Sequence, residues 1–181
     1  MKRSMAAVLG LVLAAMLALV AAPASAATPY CGIRWGSLAK IDATHSVAPL
    51  VGVRSGRHAC FDRLVLDVAG APGGYDVRYV STLAEEGSGT VVPTRGGAKL
   101  QVVARVPAYD GHGRATYLPA DRREVVDVRG YSTFRQVVWL GTFEGQTTLG
   151  VGVRARLPFR VFVLDGPGTG SRLVVDVAHR W

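Results

Sequence analysis

The stretch of the chain richest in groups able to do chemistry runs from Thr133 to Arg160, TFRQVVWLGTFEGQTTLGVGVRARLPFR. Read with the two-residue period of a strand, Leu149, Val151, Val153, Ala155 and Leu157 take one face. Arg154, Arg156 and, after a shift at Pro158, Arg160 take the other. Gly150 and Gly152 precede the arginines on their face and leave space for a ligand or another backbone. On the preceding strand Arg135 and Trp139 share a face. A guanidinium grips a carboxylate through paired N–H donors, and an indole covers the apolar face of a sugar ring. Arg135, Trp139, Arg154, Arg156 and Arg160 are therefore the candidate ligand-binding set, suited to a glycan that carries carboxylates. The competing reading is a solvated basic sheet face with Trp139 in the core.

Other reactive groups carry weaker patterns. Glu144 could serve as a general base, but such chemistry needs a second titratable group in reach and the sequence names none, so a turn role is expected. The long connection 107–123 holds Tyr109, Asp110, His112, Arg114 and Tyr117; its YDGHG segment offers loop-borne recognition, and its spacing matches no metal signature. GPGTGSR lacks the Gly-Lys-Ser/Thr ending of a phosphate loop and leads into a strand, so it reads as a turn. The four histidines form no paired-histidine array, and no Gly-x-Ser-x-Gly elbow is present. Neither a metal nor a cofactor is expected, and no catalytic residue is assigned.

The chain has 181 residues. Its first residues combine a basic start, Met1-Lys2-Arg3, an apolar run from Met5 to Ala22, and Ala24-Ser25-Ala26, which fits the small-residue cleavage rule. That is the pattern of a secretory signal peptide over residues 1–26; the alternative is a retained membrane anchor. Cleavage after Ala26 leaves residues 27–181 as one domain, and loss of Lys2 and Arg3 lowers the formal charge from +8 to +6. A basic exported protein suits an acidic wall polymer, a lipid surface or an acidic peptide. No nucleic-acid-recognition signature is present. Cys31 and Cys60 are the only cysteines, and in an exported chain they are expected to pair, tying YCGIRWG to the segment before Phe61.

Glycine and proline recur along the mature chain, and the segments between them alternate with period two, which predicts an all-β, two-sheet, mostly antiparallel sandwich. Strands are expected at 61–68, 75–82, 98–106, 124–128, 133–140, 147–157, 159–164 and 172–178, with short edges near Ile33 and Val91. Two strands nearly repeat: Arg63-Leu64-Val65-Leu66-Asp67-Val68-Ala69 and Arg172-Leu173-Val174-Val175-Asp176-Val177-Ala178. Leu64, Leu66 and Val68, and Leu173, Val175 and Val177, take the inward face, so the Arg and Asp of each copy face out. As antiparallel neighbours, Arg63 would oppose Asp176 and Asp67 would oppose Arg172, which stabilises. The other arrangement sets the copies as equivalent strands of two sheets. Inward parity extends to His179, expected as a hydrogen-bonded core histidine, and to Trp181.

FDRLVLDVAG, GYDVRYV and SRLVVDV resemble the AMIN domain. More closely, the segments YCGIRWGSLAK, VRSGRHACFDRLVLDV, GGAKLQVVARVPAYD, YSTFRQVVWLGTFEGQTTLGVGVRARLPFRVFVLDGPG and SRLVVDVAHRW resemble the AMIN-like domain of exported actinobacterial proteins. AMIN domains are β-sandwiches of two similar sheets in envelope proteins, and in cell-wall amidases they bind peptidoglycan and help localise the enzyme. The resemblance implies a non-catalytic secreted module of the cell envelope, binding peptidoglycan or another acidic wall glycan. No amidase domain follows the sandwich in this sequence. The alternatives are a protein-interaction subunit that docks an acidic envelope partner, or a small hydrolase using Glu144 or the His112 loop.

Overall fold

The computed structural model describes residues 28–181. The proposed signal peptide lies outside the described residues. A short 3₁₀ turn, Tyr30–Gly32, precedes β1 (Lys40–Asp42), β2 (Leu50–Arg57), β3 (Phe61–Val68), β4 (Tyr75–Val80), β5 (Ala98–Ala104), β6 (Phe134–Phe143), β7 (Gln146–Val153), β8 (Phe159–Asp165) and β9 (Ser171–Ala178). The strands form a five-stranded sheet, β1-β4-β5-β7-β6, and a four-stranded sheet, β2-β3-β9-β8. Every pairing is antiparallel. No described helix is long and apolar enough to cross a membrane.

The core lies between the sheets. Leu64, Leu66, Leu173, Val175 and Phe159 of the second sheet meet Leu100, Val102, Leu149, Val151 and Phe134 of the first, all buried. The inward parity read from the repeat therefore holds, and its copies are antiparallel neighbours, with Arg63 opposite Asp176 and Asp67 opposite Arg172. His179 is buried, with Nε2 3.0 Å from Asp62 Oδ1, while the other Asp62 oxygen accepts the Thr133 and Phe134 amides. Trp181 departs from its expected place: it is 67 % exposed, and its indole N–H donates to the Arg156 carbonyl because the strand has ended. The disulfide joins Cys31 to Cys60 as expected, closing a separation of 29 residues and worth about 3–4 kcal/mol on the loop-entropy view.

Three strand expectations are corrected. Residues 124–128 form no strand, because Asp121 and Asp127 accept the amides of Arg123 and Arg129 and turn the chain at both ends. Near Ile33 there is only the 3₁₀ turn, and Val91 makes a single bridge to Ala84. Conversely, β1 and β2 were not anticipated, since LVGVRSGR breaks its apolar alternation with Gly52, Ser55 and Gly56.

The space expected over Gly150 and Gly152 is occupied by the chain itself. The 81–97 segment crosses the outer face of the first sheet, and Leu83, Val92, Val138 and Leu140 make a second small core there. A Cβ at Gly152 would sit 1.8 Å from the Arg95 carbonyl oxygen, and one at Gly150 would sit 2.5 Å from Leu83 Cδ1. Gly152→Ala is expected to lower the stability read by urea denaturation by about 2–3 kcal/mol. Gly56→Ala, whose Cβ would meet only His58 Nε2 at 3.5 Å, is expected to change it little.

Candidate functional site

The outer face of the second sheet is a grid set by strand register. One row across β2, β3, β9 and β8 holds Gly56, Arg63, Asp176 and Arg160; the next holds Arg54, Val65, Val174 and Phe162; the third holds Gly52, Asp67, Arg172 and Leu164. Rows two residues apart along a strand are separated by about 7 Å. The face thus carries four guanidiniums and two carboxylates.

Asp176 organises it. Its carboxylate is fully buried and accepts from Arg63 Nε at 2.6 Å, Arg63 Nη2 at 2.9 Å and Arg160 Nε at 2.8 Å. Hydrogen bonding to Asp176 pushes the Arg63 guanidinium further above its ordinary pKa, so Arg63 stays charged. Val65 and Val174 in the next row are buried, although they lie on what is nominally the outside of the sheet. The Arg160 guanidinium lies 4.5 Å from the Trp35 ring centroid and 4.9 Å from that of Phe162, while Trp35 meets Phe61 edge-on at 5.7 Å. Trp35 reaches this face from the segment that the disulfide anchors just before β3.

In the third row the second cross-strand ion pair anticipated from the repeat does not form. Asp67 instead takes Arg54 from β2, with Nε at 2.8 Å and Nη2 at 2.9 Å. Arg172 donates Nη2 to the Asp165 carbonyl, and its Nε is buried without a partner among the described residues. A groove of about 210 Å³ opens here, bounded by Arg54, Arg63, Arg172 and His58 over a floor of Val65 and Val174. The unpartnered Arg172 Nε, flanked by the carboxylate-paired Arg54 and Arg63 over an apolar floor, suits an anion carried on a partly apolar body.

The residues singled out from sequence are dispersed. Arg156 and Arg160 both reach the Trp35–Ser37 segment: Arg156 donates to the Ser37 hydroxyl at 3.2 Å and carbonyl at 3.1 Å, and lies over Tyr79. Arg154 donates to the His179 carbonyl and holds the end of β9. A register shift between Phe134 and Gln136 turns Arg135 onto the carbonyls of Tyr131, Ser132 and Phe134. Trp139 is 4 % exposed and packs in the core against Tyr117. Glu144 and Gly145, both at positive φ, make the two-residue β6–β7 turn, and Glu144 joins no ion pair among the described residues. The YDGHG segment is a tight turn held by the Asp110 carboxylate, which accepts the amides of His112 and Arg114. No group of three or more His, Cys, Asp or Glu side chains among the described residues could hold a metal ion. Sequence reading passed over Arg54, Arg172 and Trp35 as ligand groups. The outward Arg positions of the repeat and the cysteine next to Trp35 were the signals that could have found them.

A family model for the AMIN-like domain matches residues 48–179. The chain belongs to the AMIN-like domain family. Comparison with curated proteins and with solved structures gave no match. Membership suggests a cell-wall-associated, non-catalytic module, and the oxidised Cys31–Cys60 pair points to an extracytoplasmic protein. The matched span holds the whole outer grid of this AMIN-like domain, whereas Cys31 and Trp35 precede it.

Removing the carboxylate at the centre of the grid strands two guanidiniums on one face. Asp176→Ala is expected to cost about 3–5 kcal/mol of unfolding free energy, read by chemical denaturation. Arg172→Gln, which removes an unpartnered buried N–H, is expected to leave the unfolding midpoint nearly unchanged.

Proposed function

We propose that this AMIN-like domain is a secreted, non-catalytic binding module of the cell envelope. In this reading residues 1–26 are removed as a signal peptide, and residues 27–181 bind peptidoglycan or another acidic wall glycan. The observation that carries the reading is the groove between Arg54, Arg63 and Arg172, where one guanidinium N–H is buried and unpaired over an apolar floor. A carboxylate on a lactyl or peptide substituent would complete that hydrogen bond and neutralise part of the local charge. The apolar body of the substituent would lie between the stems of the bounding arginines, above the buried Val65 and Val174. Trp35, with Arg160 beside it, extends the surface so that an adjoining sugar can stack. Turnover is not part of the proposal, since the arginines bind charge and offer no proton at neutral pH.

Co-sedimentation of the oxidised protein with purified sacculi, at low and moderate salt, tests this. The expected result is saturable pelleting that weakens as salt rises. Arg54→Gln/Arg172→Gln should weaken it roughly tenfold or more, the loss of one or two charge-assisted hydrogen bonds, with the fold intact by circular dichroism. Equal pelleting of both proteins would remove the groove from the proposal. If neither pellets, binding to the wall is abandoned, and an acidic protein partner on the same face becomes the reading to pursue.

A further inference from the structure

A second cleft, of about 310 Å³, opens beside the first sheet and away from the arginine grid. Tyr109, Tyr117 and Trp139 supply its aromatic wall, Glu85 and Glu86 its acidic wall, and Arg122 part of the rim. The volume is at the low end of that of sites for small ligands.

The walls come from separate segments, each fixed by its own hydrogen bonds. The Tyr109 hydroxyl accepts the Gly145 amide at 3.0 Å, which ties the 107–123 connection to the β6–β7 turn. Tyr109 and Ala115 bridge across the turn that Asp110 holds closed. The Trp139 amide donates to the Arg122 carbonyl at 2.7 Å, and the Glu86 amide to the Leu140 carbonyl at 2.8 Å. Tyr117 lies against Trp139 with ring centroids 5.6 Å apart. The cleft is therefore built before any ligand arrives, which lowers the ordering cost of binding.

Its charge is opposite to that of the rest of the protein. In a chain of net charge +8, neither Glu85 nor Glu86 joins an ion pair among the described residues. Among the described residues, the Glu85 carboxylate accepts only the Ser88 hydroxyl, at 3.1 Å. Ionised carboxylates are acceptors alone, with several lone-pair sites each. With tyrosine rings in the same lining, they match a ligand that combines clustered hydroxyl donors with a C–H face. We infer that this cleft binds a neutral pyranose ring of an oligosaccharide. Its hydroxyls would donate to Glu85 and Glu86, and its C–H face would lie against Tyr117, which is backed by the buried Trp139. This inference does not depend on the anionic ligand proposed for the groove.

The test is an NMR titration of the full-length mature protein with neutral chito- and cello-oligosaccharides, which carry no carboxylate. The chain has three tryptophans, and a Trp139→Phe spectrum assigns the reporting indole resonance. The expected result is a saturable shift of the Trp139 indole N–H with at least one of the two sugars. Glu85→Gln/Glu86→Gln should weaken it about tenfold while leaving the rest of the spectrum in place. Tyr117→Ala should weaken it similarly, whereas Arg172→Gln should leave it unaltered, which separates this cleft from the groove. No saturable shift with either sugar overturns the inference. So does a shift that the double glutamine variant leaves unchanged, or a stronger response to a simple alkylamine than to both sugars, which would make the cleft a cation site.

Discussion

A carboxylate with no exposure to water is the constraint from which the outer face of the second sheet follows. Burying Asp176 costs several kcal/mol unless positive partners surround it. Arg63 comes from the neighbouring strand on one side and Arg160 from the strand on the other, so the ion cluster spans three strands and pins their register. A slip by one residue would turn these charges into the core. The same two side chains that reach Asp176 come alongside Phe61, Phe162 and Trp35. Register and the layout of the binding face are thus consequences of one charge.

The two sheets differ in what covers them. Gly150 and Gly152 let the 81–97 segment press on the first sheet closely enough that no side chain would fit, and a small apolar core forms beneath it. Among the described residues the second sheet has no such apolar overlay, only the edge contact of Trp35, and its four guanidiniums face outward with two carboxylates to answer them. The glycines therefore decide, from the opposite side of the molecule, which face is left for partners.

Much of the architecture was legible in the sequence because its signals are local. Period-two alternation found β3, β4, β5, β6, β7, β8 and β9, and the repeat offered the β3–β9 register, with Arg63 opposite Asp176, as one of two arrangements between which the structure chooses. β2 was hidden because two glycines and a serine interrupt its pattern, and the 124–128 segment misled because its Asp-capped turns lie among apolar residues. The site was less legible for a different reason. Alternation assigns a residue to a face, but the bulge at Arg135 broke the count, and no local rule shows which face another segment will cover. Trp139 reads as a sugar-stacking ring and Trp35 carries no such signal; only tertiary contacts put the first in the core and the second beside Arg160.

The 3₁₀ turn at Tyr30–Gly32 and the Trp35 that follows it lie ahead of the family's matched span, yet they are joined by a covalent bond to the residue that opens β3. The sheets do not need that bond for their own hydrogen bonding, since no strand pairing runs through it. The bond thus acts on both scaffold and surface: it lowers the entropy of the unfolded chain, and it holds the aromatic half of the recognition surface beside the cationic half.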